Sequence, residues 1–266
     1  MVGEKIITSF GNSGRNPTVQ VCLSPALINT FKITDRIVVV IDILRATTSM
    51  CVAFDYGIDH IVPVASIEEC AKYHTEGYLC AAERNGITVE GFALGNSPFS
   101  YMSPDLKGKR IALTTTNGTQ AIECAKTAEQ IVIGSFANLT RLTNYLLEQN
   151  RSVVLLCSGW KNRPNLEDSI FAGAVVESIR HQILPGDDAA VMAHCLYEAA
   201  NDNKRAYIEL SQHYLRLMQM NLQRDVKYCL RQDTHPVLPV YQEGKLINLY
   251  PSSSILSGVR SEGARA

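Results

Sequence analysis

An α/β fold, with a largely parallel or mixed sheet covered by helices on both faces, is predicted by three features of this 266-residue chain. Strand-like and helix-like segments alternate along most of it with short connections. The strand-like segment Ile37–Ile41 is a run of β-branched residues, the pattern of a strand buried on both faces. Glycines fall where helices should stop, Gly57 and Gly77 each preceding a new strand.

Taken in order, Val19–Leu23 and Ile37–Asp42 read as strands, and the helix Ala46–Phe54 follows the second. The alternation continues with strand His60–Val64, helix Ile67–Thr75 and strand Tyr78–Ala82. Strand Arg110–Thr114 leads to helix Thr119–Thr127, strand Gln130–Gly134 to helix Leu139–Gln149, and strand Ser152–Ser158 to helix Leu166–Ile183. After Pro185-Gly186 the texture becomes a helical segment through Leu230, and a helix around Tyr207–Met218 carries Ile208, Leu210, Leu215, Leu217 and Met218 at an imperfect 3.6 period. Val237–Leu249 reads as a short hairpin turning at Glu243-Gly244. A single domain over 1–250 is expected, with a sub-division near 185 left open and a mobile Ser/Gly/Arg-rich tail over 251–266.

A hydrophobic content of 46% supports a substantial core. The net charge of −1 gives no global field to recruit nucleic acid or an anionic membrane. No apolar run nears the roughly 20 residues that span a bilayer, and the N-terminus lacks the apolar region of a signal peptide, so a cytoplasmic location is expected. Eight cysteines are scattered without a C-x-x-C pair, which argues against a zinc cage or a disulfide framework. Cys157, at a strand end, is a candidate thiol nucleophile, although no histidine lies near it in sequence. Homo-oligomerisation is left open.

The chemistry concentrates at strand ends, where an open α/β sheet binds its ligand. Asp42 closes the β-branched run, and Arg45, Thr47, Thr48 and Ser49 follow before a helix. A carboxylate, a guanidinium fork and hydroxyls at a helix start suit the handling of phosphate, while helix capping is the plainer role for the same residues. Lys109–Thr119 repeats that grammar: a strand, then Thr115, Thr116, Asn117, Gly118 and Thr119 ahead of a helix. Their amides and hydroxyls are expected to surround an anion, or else to cap an ordinary turn. Glu83 and Arg84 follow a third strand, and Trp160–Pro164, with Lys161 and Arg163, follows a fourth. Glu167 and Asp168 sit in the first turn of the next helix, where capping is a sufficient explanation for both. Even so, Asp42, Glu83 and one of Glu167 or Asp168 lie at or just past separate strand ends, a layout of oxygen ligands that fits a partly hydrated Mg²⁺. His194 and His213 are expected to pack or solvate.

Five ordered motifs carry a family resemblance. They are Val-Val-Ile-Asp-Ile-Leu-Arg-Ala-Thr-Thr (39–48), Glu83-Arg84 with Glu-Gly-Phe-Ala-Leu-Gly-Asn-Ser-Pro (90–98), Leu-Thr-Thr-Thr-Asn-Gly-Thr (113–119), Gly-Ser-Phe-Ala-Asn (134–138) and Leu-Glu-Asp (166–168). Together they resemble the 2-phosphosulfolactate phosphatase family, and the region from Asp225 to Val240 resembles its carboxyl end more loosely. The resemblance implies a Mg²⁺-dependent phosphatase that converts 2-phospho-3-sulfolactate to sulfolactate and phosphate on the route to coenzyme M. The chain departs from the family where glycines are expected beside Glu83-Arg84 and in the loop after Cys157. On this reading Asp42, Arg45 and Glu83 are catalytic, and Arg45 with Thr47, Thr48 and the Thr115–Thr119 loop holds phosphate. Arg84, Lys161 and Arg163 read the sulfonate or carboxylate end of a small anionic phosphate ester. Asp42, Glu83, Glu167 and Asp168 are the metal candidates. Whether water or a carboxylate attacks phosphorus stays open. A haloacid-dehalogenase-type phosphatase would require an acid where Leu44 stands, and a non-catalytic anion-binding module would not require acids at several strand ends.

Overall fold

A computed structural model describes residues 16–251. The expected mobile tail and the leader reading of the N-terminus fall outside those residues, except for the tail's first residue, Pro251.

The strands are β1 (Thr18–Cys22), β2 (Ile37–Ile41), β3 (His60–Pro63), β4 (Leu79–Arg84), β5 (Ile87–Thr88), β6 (Arg110–Thr114), β7 (Gln130–Gly134), β8 (Val153–Cys157), β9 (Leu184–Pro185), β10 (Pro239–Gln242) and β11 (Lys245–Asn248). They form one mixed sheet in the order β5-β4-β6-β3-β11-β10-β7-β2-β8-β1-β9. The helices are α1 (Ala46–Asp55), α2 (Ile67–Lys72), α3 (Gly118–Cys124), α4 (Leu139–Gln149), α5 (Leu166–Ile179), α6 (Asp188–Ala200), α7 (Lys204–Ile208), α8 (Gln212–Gln219) and α9 (Gln223–Cys229).

The β-branched run of β2 explains the layering. Successive side chains of a strand point to opposite faces. Ile37, Val39 and Ile41 accordingly join one core with residues of α4, α5 and α6, while Val38 and Val40 join another with Met50, Val52 and Phe54 of α1 and Ile122 of α3. All five are fully buried, which only a strand covered on both sides permits.

The C-terminal hairpin gives the sheet its mixed character. Glu243 and Gly244 both have positive φ, as a tight two-residue turn requires. The hairpin is not a peripheral addition: β10 pairs antiparallel with β7, and β11 pairs antiparallel with β3. The chain past 185 therefore re-enters the middle of the sheet. Each step from β3 to β11, to β10 and to β7 reverses direction, so the parallel set β4-β6-β3 runs opposite to the parallel set β7-β2-β8-β1-β9.

Four sequence-based helices are shorter than expected, α2 ending at Lys72 and α3 at Cys124 among them. The segment Tyr207–Met218 is broken between α7 and α8, because Ser211 Oγ accepts the Tyr214 amide at 2.9 Å and starts a new helix. Leu210, at the break, is 73% exposed, which accounts for the imperfect apolar period. The helix expected to reach Ile183 ends at Ile179, and β9 follows it.

Candidate active site

The turns after β2 and β6 are built alike. Thr47 Oγ1 donates to the Asp42 carbonyl at 2.9 Å and accepts the Asp42 amide at 3.1 Å. Thr119 Oγ1 does the same with Thr115, at 2.9 and 3.2 Å. Asp42 Oδ1 accepts the Ala46 amide, and Thr115 Oγ1 accepts the Thr119 amide, each four residues on. The two turns also meet. A Cβ on Gly118 would lie 2.7 Å from Ala46 Cβ and 3.1 Å from Asp42 Oδ2, so only glycine lets α3 start this close to α1.

At this junction lies a small cleft, lined by Asp42, Arg45, Glu83, Asn85, Asn117 and Lys161 among others. Arg45 is buried. Its guanidinium donates to Asp225 of α9 and, at 2.7 Å, to the Gly86 carbonyl, which fixes its orientation. The Leu44–Arg45 peptide is cis.

Asp42 is only 6% exposed, and burial pushes its carboxyl up to about 6. The Ala46 amide and His213 pull against that rise, while the charges of Glu83 and Glu167 add to it. Glu83 lies within β4, not past its end. Its Oε1 accepts the Gly86 amide and, at 3.3 Å, the Thr116 hydroxyl; its Oε2 accepts the Thr116 amide at 3.2 Å. The carboxylate of Glu83 thus occupies the loop expected to cradle a phosphate.

Glu167 and Asp168 differ sharply. Asp168 accepts the Ile43 amide through Oδ1 (2.9 Å) and, through Oδ2, the Gly159 amide and the Asn165 side chain (both 3.0 Å), tying two loops to the start of α5. Burial and the charges of Glu167 and Asp42 push its carboxyl well up against the pull of those amides. Glu167 Oε1 contacts His213 Nδ1 at 2.5 Å, whereas its buried Oε2 has no hydrogen-bond partner.

Several expected anion contacts are placed elsewhere. Thr47 and Thr48 are fully buried, and the Thr48 hydroxyl donates to the Ile43 carbonyl at 3.1 Å. Thr115 and Thr119 serve each other, whereas Thr116 and Asn117 line the cleft. Arg84 binds the Glu83 carbonyl and the Thr114 hydroxyl, and Arg163 is exposed with its backbone paired to Trp160; neither lines the cleft. Cys157 is no nucleophile: it is 1% exposed and burial drives its thiol far up.

The C-terminal helices supply what the sequence reading missed. His213, expected to pack or solvate, lines the cleft and stacks on Trp160, with centroids 6.0 Å apart and planes at 8°. Arg216 lies over the same indole at 5.3 Å, and Lys161 at 4.8 Å. His213 and Arg216 are three apart, hence on one face of α8. Asp225 was legible only as part of the loosely matching carboxyl end.

Fold and site together define an α/β enzyme class with acids and fixed cations converging on one polar cleft. A family model described as 2-phosphosulpholactate phosphatase matches residues 22–244. A Thermotoga petrophila protein named probable 2-phosphosulfolactate phosphatase is 38% identical over 212 residues, covering 80% of this chain and 92% of its own. Proteins of the same name from Clostridium acetobutylicum (32% over 234 residues, 86% of this chain and 99% of theirs) and Carboxydothermus hydrogenoformans (38% over 218 residues, 80% and 90%) are also similar. The chain belongs to the 2-phosphosulfolactate phosphatase family, a family of phosphoric monoester hydrolases. Among the described residues, no helix is long and apolar enough to cross a membrane.

Proposed function

We propose that this enzyme hydrolyses 2-phospho-3-sulfolactate to sulfolactate and phosphate in the cytosol, on the route to coenzyme M, with Mg²⁺ as cofactor. The observation that carries this reading is the cleft itself, where Asp42 faces Arg45, Lys161 and Arg216 in a chain of this family. A substrate bearing phosphate, sulfonate and carboxylate groups calls for several cations around one site. Eight free cysteines, most of them buried, agree with a reducing compartment.

Each residue has a part that follows from its surroundings. Arg45, held by Asp225 and the Gly86 carbonyl, presents a pre-oriented guanidinium to the phosphoryl group and stabilises charge there without reorganising. Asp42 keeps Oδ2 free of protein hydrogen bonds while Oδ1 is anchored on the Ala46 amide. Lys161 and Arg216, spaced by the Trp160 ring, attract the non-phosphate end of the substrate. His213, oriented by Glu167, forms the wall between them.

The donor chemistry suits Mg²⁺, although the oxygens of Asp42, Glu83 and Glu167 do not all lie within 4.8 Å of one another and would have to draw together on binding. The ligand oxygens are hard, and the buried, unpartnered Oε2 of Glu167 is the kind of atom a cation satisfies. Asp42 and Glu167 would hold the ion, with Glu83 beside them; Asp168, with both oxygens already engaged, would only position the loop. When bound, Mg²⁺ would neutralise charge on the phosphoryl oxygens. The test is phosphate release from 2-phospho-3-sulfolactate by chelated enzyme before and after Mg²⁺ is restored. The expected result is activity only with the metal. Full activity of exhaustively chelated protein would refute the cofactor, and no turnover under either condition would refute the substrate.

A further inference from the structure

We propose that the outer face of α5 and α6 carries a second metal site, formed by His194, Cys195 and Glu198 and closed by Glu177, for a borderline-soft divalent cation of the zinc class. These residues belong to no part of the cleft. The nitrogen, sulfur and oxygen ligand atoms of His194, Cys195 and Glu198 all lie within 4.8 Å of one another, the only such set among the described residues.

Two contacts converge on His194 Nε2. It contacts Glu177 Oε2, from the neighbouring helix, and it lies 3.8 Å from Glu198 Oε1 one turn along its own helix. Two carboxylates thus point at a single ring nitrogen. A cation seated between the ring nitrogen and the carboxylates would satisfy all three. Cys195 stands on the same turn and is the exposed member of eight cysteines; five of the others are 1% exposed or less. Its solvent access lets a metal reach the sulfur.

The donor types select the ion. One imidazole, one thiolate and one or two carboxylates suit tetrahedral Zn²⁺ or Co²⁺, whereas Mg²⁺ demands oxygen ligands. Binding displaces the thiol proton, so it releases acid as it proceeds. Arg180 Nε lies 2.6 Å from the same Glu177 Oε2 that His194 contacts, and competes with the ion for that oxygen. The consequence is a staple: α5, whose first turn carries Glu167 against the cleft residue His213, becomes fastened to α6 at its other end.

The test is Co²⁺ titration of the reduced full chain in saturating Mg²⁺, which keeps the cleft's oxygen ligands occupied. The expected signature is thiolate-to-cobalt absorption in the near ultraviolet, lost when Zn²⁺ is added and absent from Cys195→Ser. Glu177→Gln should lower Zn²⁺ affinity about tenfold, as loss of a histidine's carboxylate partner commonly does. Zn²⁺ should raise the melting temperature of the wild type and not of Cys195→Ser, and the Cys195→Ser and Glu198→Gln variants should keep their phosphatase activity. No thiolate band in the wild type, or a band that survives in Cys195→Ser, would overturn the proposal.

Discussion

Replacing Asp42 by Asn separates its chemical role from its structural cost. Burial raises the carboxyl from 3.8 to about 6, which corresponds to about 3 kcal/mol favouring the protonated form in the folded protein. The sign follows from proton linkage. A carboxyl whose folded pKa is raised contributes stability that is fully present below about pH 4 and is lost as pH rises through about 6. At pH 8 in metal-free buffer the native state therefore carries an unfavourable buried charge that Asn lacks. Asn retains an oxygen to accept the Ala46 amide, so the turn should survive. The variant should be more stable than wild type at pH 8 by up to about 3 kcal/mol, or roughly 5–10 °C in melting temperature. The difference should vanish near pH 4. The same variant should lose about two to four decades of turnover. Chelated samples melted from pH 4 to 8, with parallel phosphate-release assays, measure both effects. A variant less stable at pH 8, or one whose melting curve shifts with pH as wild type does, would refute the burial argument; near-normal turnover would refute the catalytic one.

Further outcomes follow from particular contacts. Gly118→Ala drives a methyl to 2.7 Å from Ala46 Cβ, and overpacking of this kind should cost about 1–3 kcal/mol in urea unfolding, with part recovered in a double variant with Ala46→Gly. Asp225→Ala leaves Arg45 buried and without its carboxylate, which should cost about 3–5 kcal/mol of stability; a loss below 1 kcal/mol in denaturant titration would show that Arg45 finds another partner. Lys161→Ala and Arg216→Ala should each raise KM for phosphosulfolactate by an amount equivalent to about 1.5–3 kcal/mol, whereas Arg163→Ala should leave KM unchanged because its side chain does not line the cleft. Equal losses for all three would contradict the assignment of the cleft wall.

What could be read from the sequence was local. The run Ile37–Ile41 declares a doubly covered strand because each of its side chains must be buried, and Arg110–Thr114, Gln130–Gly134 and Leu139–Gln149 match the folded elements residue for residue. Asp42, Arg45 and Glu83 were legible as site residues because strand-end polar groups after apolar runs have few reasons to be there. What failed depended on long-range partners. Thr47 and Thr119 carry the hydroxyls expected at an anion site, yet the nearest backbone claims them first, a competition inherent to threonine at a helix start. Arg163 and Arg216 look equivalent as letters in polar segments. Only the docking of α8 against Trp160 distinguishes them, and no periodicity encodes that.

The reversal of the two parallel strand sets gives the site its composition. In a singly wound sheet all strand ends would open on one edge, and a phosphate would be expected over the glycine-bearing turn after β6. Here the antiparallel hairpin sets β6 and β2 in opposite senses, and the turns that follow them abut at Gly118 and Ala46. The amide and hydroxyl of Thr116 are then turned onto Glu83, which already supplies an anion. An incoming phosphate must find its positive charge elsewhere. The side chains that offer it are Arg45, made rigid by Asp225 of α9, and Lys161 with Arg216 of α8. On the proposed function the helical segment after residue 200 belongs to the binding apparatus: α8 supplies Arg216, and α9 orients Arg45 through Asp225.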